Sequence, residues 1–172
     1  MNEEAFIMGS LDKYKGVFPA FYACYDDQGG VSETRARRLV RHLVDKGVKG
    51  LYVGGSSGEC IYLEKEERMR TLEAVMQEVG GQCTIIAHVA CNNTQESCQL
   101  ARHAEALGVD AIASIPPIYF HLPDAAIARY WNDISSAAPS TDDSLRARFS
   151  GYVAADEGTD AAGAGAQAGP RR

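Results

Sequence analysis

Gly50-Leu-Tyr-Val-Gly-Gly-Ser-Ser-Gly-Glu59 decides how this chain is read. Its first four residues are apolar or aromatic and too few for a helix, which is the profile of a short buried parallel strand. Gly54, Gly55, Ser56, Ser57 and Gly58 then break the run. Glycine reaches positive φ and lets backbone N–H groups face a ligand with no Cβ in the way. Such a turn makes a concave set of donors for an oxyanion, and the Ser56 and Ser57 hydroxyls add two more. A carboxylate or phosphate is the natural guest. A tight strand-to-helix turn whose serines bond their own backbone fits the same composition.

Working outward, apolar runs of the same kind lie at 17–24, Gly50–Val53, 84–89 and 111–115. They recur at roughly 30-residue intervals, the size of one βα unit. The stretches between them carry helical periodicity. Ser32 is placed to cap a helix over 33–46 that buries Leu39, Val40, Leu43 and Val44 and stops at Gly47. A second helix over 64–79 aligns Met69, Leu72, Val75, Met76 and Val79. Thr94 opens a third over 95–107, and Pro123 or Asp124 opens a fourth through Trp131 and Ile134. Four βα units in a row predict α/β architecture, either an open doubly wound sheet or a (β/α)8 barrel. A complete barrel takes about 250 residues, and the βα pattern spans only residues 17–136.

Composition narrows the function classes. At 172 residues, 45% hydrophobic and 23% charged, the chain is of globular type. A net charge of −6 disfavours nucleic acid or an anionic membrane as the main partner. No apolar run is long enough to span a bilayer, and Met1-Asn-Glu-Glu4 offers no basic leader. The five cysteines are odd in number and form no C-x-x-C pair, which suits reduced thiols in a cytoplasmic protein. Residues 1–12 read as a flexible leader and 13–139 as the folded part. Residues 140–172 read as an Ala/Gly-rich tail too poor in apolar surface to order itself.

Five segments carry a family resemblance: Gly16-Val-Phe-Pro-Ala20, Gly50 to Glu59, Ile86-Ala-His-Val89, Gly108-Val-Asp-Ala111 and Ile115-Pro-Pro-Ile-Tyr119. In order and spacing they resemble the N-acetylneuraminate lyases of the dihydrodipicolinate synthase superfamily, across residues 14–139. Gly-Gly-Ser at 54–56 resembles the sialic acid lyases, whereas the synthases more often show Gly-Thr-Thr-Gly-Glu. The resemblance implies a (β/α)8 TIM barrel and class I aldolase chemistry without metal or organic cofactor, usually in a homotetramer. A lysine would form a Schiff base with pyruvate or the sialic acid, and a later tyrosine would move protons. Carried over by position, Ser56 and Ser57 resemble the pair that grips the keto-acid carboxylate, with Ser56 also next to the proton relay. Tyr119 resembles the tyrosine that crosses a subunit boundary to complete a neighbour's relay.

The similarity halts near Thr141, before the strands that carry the proton-donating tyrosine and the lysine. The last lysine of the chain is Lys65. A Schiff-base lysine must be deprotonated inside a pocket. Lys13, Lys15, Lys46 and Lys49 precede strands, on the side of a βα barrel away from its chemistry. Lys65 sits among Glu64, Glu66 and Glu67. The expectation is therefore a chain holding about four βα units of a lyase barrel, inactive alone, followed by an unrelated tail. A non-catalytic half-barrel assembly module, or part of a synthase or other pyruvate-dependent aldolase, are the alternatives.

The remaining candidates have plainer readings. His88, at a strand end, is expected to hydrogen-bond within the strand-end layer rather than act at a pocket mouth. His42 and His103, beside Arg41 and Arg102, read as solvated, and His121 as an interface residue. Glu59 is expected to accept local backbone N–H bonds rather than serve as a base. Cys91 and Cys98 read as small buried residues.

Overall fold

The computed structural model describes residues 12–138. The leader up to residue 11 and the tail from 139 lie outside the described residues. Asp12 itself opens a 3-10 turn, Asp12–Tyr14. Helix α1 is Glu33–Asp45, β1 Gly50–Val53, α2 Lys65–Val79, β2 Thr84–His88, α3 Thr94–Ala106, β3 Ala111–Ala113 and α4 Asp124–Ala137. The strands form one parallel sheet in the order β1-β2-β3. Leu51 pairs with Ile85, and Ala87 with Ile112. A helix follows every strand, so the described residues are built of consecutive parallel βα units.

Local chemistry sets the element ends. The Ser32 hydroxyl accepts the Arg35 N–H at 3.3 Å, and Gly47 at φ +82° ends α1. Glu64 caps α2 in a reciprocal box with Glu67. The third helix begins one residue earlier than its sequence suggested, because Asn93 rather than Thr94 is the cap. Asn93 Oδ1 accepts the amides of Gln95 and Glu96. β3 stops before Ile115-Pro116-Pro117, where proline cannot donate to a ladder.

The expected strand over 17–24 is reduced to a single parallel bridge, Ala20 to Tyr52. Tyr52 N–H donates to Pro19 O at 3.1 Å and Phe21 N–H to Tyr52 O at 2.8 Å. The next rung would need an N–H on Pro19, which has none. The segment still seats Phe21 in the core at 1% exposure.

The core lies between sheet and helices. Leu51, Val53, Ile85 and Ala87 from the strands meet Ala36 and Val40 of α1, Leu72, Val75 and Val79 of α2, and Ala101 and Ala104 of α3. Each fully buried Leu, Val or Ile side chain among them contributes about 1.5–3 kcal/mol. Gly50 is a glycine by necessity. A Cβ there would run into the Phe18 ring and the Thr84 carbonyl. The amino end of the sheet is closed by Thr84 Oγ1 donating to Lys13 O at 3.0 Å and Tyr14 OH donating to Asp110 O at 2.8 Å. The carboxyl end is left to the loops. No helix among the described residues is long and apolar enough to cross a membrane.

Candidate functional site

β1 delivers the glycine-serine turn to the carboxyl end of the sheet. Gly54 leaves the strand at φ +76°, a conformation that strains any residue with a Cβ. Ser56–Gly58 then forms one 3-10 turn. It is closed by Gly58 N–H to Gly55 O at 2.9 Å and Glu59 N–H to Ser56 O at 3.0 Å. The amides of Ser56 and Ser57 are thus the leading N–H groups of the turn, where no carbonyl of the turn can reach them. Ser56 is exposed and Ser57 half-buried. Among the described residues, neither hydroxyl bonds its own backbone, so the self-capped turn is not the arrangement present.

Glu59 ends the turn in the left-handed region at φ 54°, unusual for a residue with a side chain. The expected bonds to local amides do not form. A left-handed backbone swings its carboxylate outward, where Glu59 Oε2 accepts the Tyr25 hydroxyl at 2.7 Å. That bond is the main reason the Tyr25 phenol is pushed up to about 12.

His88 stands beside the turn. Its Nδ1 lies 3.0 Å from Gly54 O, and its ring is tilted against Tyr52 with centroids 5.9 Å apart. Burial pushes its pKa down to about 4, with the Arg68 charge acting in the same direction and the Gly54 bond opposing. The strand-end hydrogen bond expected of His88 is observed, although the side chain also lines a cavity.

Arg68 is the residue that sequence reading missed. It is 6% exposed although it falls in the charged run Glu64-Lys-Glu-Glu-Arg68. Arg68 Nη2 donates to His88 O at 2.8 Å, and Nη1 to Ala90 O at 2.9 Å and to Cys91 Sγ at 3.1 Å. Its Nε is buried without a partner. A signal was present in the sequence: position 68 shares the inward stripe of Leu72, Val75 and Val79.

A cavity of about 240 Å³ opens above Arg68 and His88, lined also by Cys60, Lys65, Cys91 and Pro117. Neither Ser56 nor Ser57 lines it. Cys91 is half-buried rather than fully buried, and desolvation raises its thiol pKa. Cys98 is buried as expected. Behind the cavity, the Tyr130 hydroxyl donates to Cys91 O at 2.9 Å and meets Ser97 Oγ at 2.9 Å. Asn92 Oδ1 in turn accepts the Ile118 amide at 3.3 Å, tying this loop to the one that bears Tyr119.

Tyr119 itself is 81% exposed and packs edge-on against Phe120 at 4.8 Å. No hydrogen bond or ring contact joins it to the serines among the described residues. His121 and His42 are exposed. His103 is not solvated as expected. Helix packing brings its Nε2 to 2.8 Å from Glu73 Oε1 across the α2–α3 contact. Lys65 Nζ is engaged by Gln99 Oε1 at 2.7 Å and Glu66 at 3.2 Å.

Strand order, helix alternation and a hydroxyl-bearing turn at the carboxyl end are those of consecutive βα units with a candidate site beyond the strand ends. The dihydrodipicolinate synthetase family matches residues 13–143, and the chain belongs to that family. Within it, the chain is N-acetylneuraminate lyase-like. It is 62% identical over 142 residues to an N-acetylneuraminate lyase of Mediterraneibacter gnavus, covering 83% of this chain and 45% of that protein. The wild-type sialic acid aldolase of Ruminococcus gnavus superposes with a TM-score of 0.74 at 65% identity, over 76% of this chain and 43% of that one. The N-acetylneuraminate lyase of Mycoplasma synoviae gives a TM-score of 0.72 at 33% identity, over 74% and 45% of the two chains. The chain therefore spans less than half the length of these relatives.

Proposed function

We propose that this chain carries the carboxylate-gripping part of a Schiff-base aldolase that splits N-acetylneuraminate into N-acetylmannosamine and pyruvate. The observation that carries the reading is the 3-10 turn Ser56–Gly58 at the carboxyl end of β1, with its two hydroxyls unengaged among the described residues. The turn carries two amides and two hydroxyls, enough donors in number for both oxygens of a 2-keto acid carboxylate. Ser56 also stands next to the keto carbon in this reading and passes protons, and the chemistry needs neither metal nor organic cofactor.

Binding and turnover separate in this chain. Of its five lysines, Lys13, Lys15, Lys46 and Lys49 lie toward the amino ends of the strands, and Lys65 is held by Gln99 and Glu66. None can condense with a ketone bound at the turn. The 172 residues should bind pyruvate without turning it over. Titrating pyruvate into the labelled chain should shift the amides of Ser56 and Ser57, and S56A/S57A should abolish the response. Unmoved Ser56 and Ser57 amides at millimolar pyruvate would remove the basis for the cradle.

A second reading, an assembly module, is favoured by a different observation. Ile61, Tyr62, Ile118, Tyr119 and Phe120 are all more than half exposed, an uncommon concentration of apolar surface. In a homotetramer such loops would pack on a neighbour and bring Tyr119 toward its relay. Sedimentation velocity decides this reading: a discrete oligomer supports it, and a monomer at tens of micromolar refutes it. A cytoplasmic location, with neither membrane nor nucleic acid as partner, belongs to the same proposal.

A further inference from the structure

We propose that His88 positions the Gly54–Ser57 turn by donating its Nδ1–H to the Gly54 carbonyl from the neighbouring strand. The proposal rests on the reading of that turn as a carboxylate cradle. Val53 and Ala87 are the last register partners of β1 and β2, so Gly54 and His88 come next and face each other. The backbone of Tyr52 bonds Pro19 and Phe21 rather than β2, and Gly54, two residues on, has the same parity. Gly54 turns away at φ +76°, and its carbonyl lies 3.0 Å from the imidazole, a side-chain link where β2 offers it no ladder bond. A side chain thereby sets where the turn begins.

The imidazole is itself held rigidly. Its ring lies against Tyr52, and the His88 carbonyl accepts Arg68 Nη2 at 2.8 Å. His88 is 6% exposed. The chargeable groups sharing its cavity are Arg68, Lys65 and Glu64 at the start of α2, Glu96 of α3, and the thiols of Cys60 and Cys91. A carbonyl oxygen can only accept, so the proton sits on Nδ1 and leaves Nε2 bare in the neutral ring. Any displacement of Gly54 O is passed along two peptide units to the amides of Ser56 and Ser57.

The geometry predicts which substitution preserves the function. An Asn amide nitrogen is the same number of bonds from Cβ as Nδ1, whereas a Gln amide nitrogen lies one bond farther out, near the place of Nε2. Long-range proton–nitrogen spectra of the full 172-residue chain at pH 7 should show His88 neutral and protonated on Nδ1. An Nε2-protonated ring or an imidazolium would overturn the proposal. With pyruvate as the probe, H88N should keep the Ser56 and Ser57 amide shifts and most of the affinity. H88Q and H88L should displace those shifts and weaken binding about tenfold, the equivalent of one ordered hydrogen bond. A role in packing alone would rank them the other way, with Leu and Gln above Asn, and that ranking would refute positioning. If H88L does not fold, the Asn–Gln comparison and the wild-type tautomer still decide. If wild type binds no pyruvate, the cradle reading fails. The tautomer and the Ser56 and Ser57 amide shifts of the variants then judge His88 independently.

Discussion

Ser97 and Tyr130 should back each other up in holding the loop after β2, and a double-mutant cycle measures how strongly. Cys91 N–H reaches two acceptors, Ser97 Oγ at 2.8 Å and Tyr130 Oη at 3.2 Å. Cys91 O receives Tyr130 at 2.9 Å and, more weakly, Ser97 at 3.4 Å. Both partners are buried, Ser97 completely and Tyr130 at 3% exposure. Y130F keeps the ring and removes the hydroxyl, and S97A removes little volume, so each single change tests hydrogen bonding. Each should cost about 1–2 kcal/mol, because the other hydroxyl still satisfies Cys91. The 2.9 Å bond between the two hydroxyls is lost in either single variant, which makes the double variant cheaper than the sum by about 1 kcal/mol. Against this, the double variant leaves both backbone groups of Cys91 without a protein partner, a penalty of about 1–3 kcal/mol for each buried group. The second effect is the larger, so the double variant should exceed the sum of the singles by about 1 kcal/mol or more. Urea unfolding followed by circular dichroism, at constant m-value, gives all four corners. A sum that is additive within about 0.5 kcal/mol, or smaller than additive, refutes the account of mutual support.

Four further outcomes follow from the same geometry. G50A should destabilise by about 3 kcal/mol or more, the upper end of overpacking, because the Thr84 carbonyl it would strike is backbone and cannot rotate away; a loss under about 1 kcal/mol would contradict the packing. Borohydride reduction in the presence of pyruvate should leave the mass of the 172-residue chain unchanged, and a pyruvyl adduct on any of its lysines would refute the assignment of those side chains. Tyr25, pushed up to about 12 by Glu59, contributes stability that is whole below the ordinary phenol value near 10 and is lost as pH rises toward 12. Its tyrosinate absorbance, read as wild type minus Y25F, should move back toward pH 10 in E59Q, and an unmoved curve would discard the bond. His88 works in the opposite sense. Its folded pKa is depressed to about 4, so its contribution is present above about 6.5 and is lost as pH falls toward 4; H88N should flatten the stability profile in that window, and a profile identical to wild type would contradict the burial argument.

Much of the architecture was legible because it follows from local periodicity. The 3.6-residue stripes of Leu39, Val40, Leu43 and Val44, or of Leu72, Val75 and Val79, need only neighbours in sequence to be recognised. Gly47 as a stop and Ser32 as a cap belong to the same local chemistry. The glycine-serine turn was visible for a similar reason, since its conformation is set by glycines within it. Pro19 could also have been read as a break in the first strand, but only once the rung it interrupts was known. Arg68 and His103 were missed or misread because charge suggested solvent, and Glu59 because local amides were its nearest partners in sequence, whereas each is committed to a partner at least 20 residues away.

By itself, the order of residues determined the alternation of strand and helix, the place of the turn bearing Ser56 and Ser57, and the lack of any lysine beyond position 65. These depend on composition and on contacts within a few residues, which a linear string records directly. Only the folded chain decided that His88 faces Gly54, that Arg68 is enclosed beneath it, and that Tyr130 reaches Cys91. Each of these joins separate βα units. Their meeting is set by strand register and helix packing, which fix distances in space that no spacing in sequence contains.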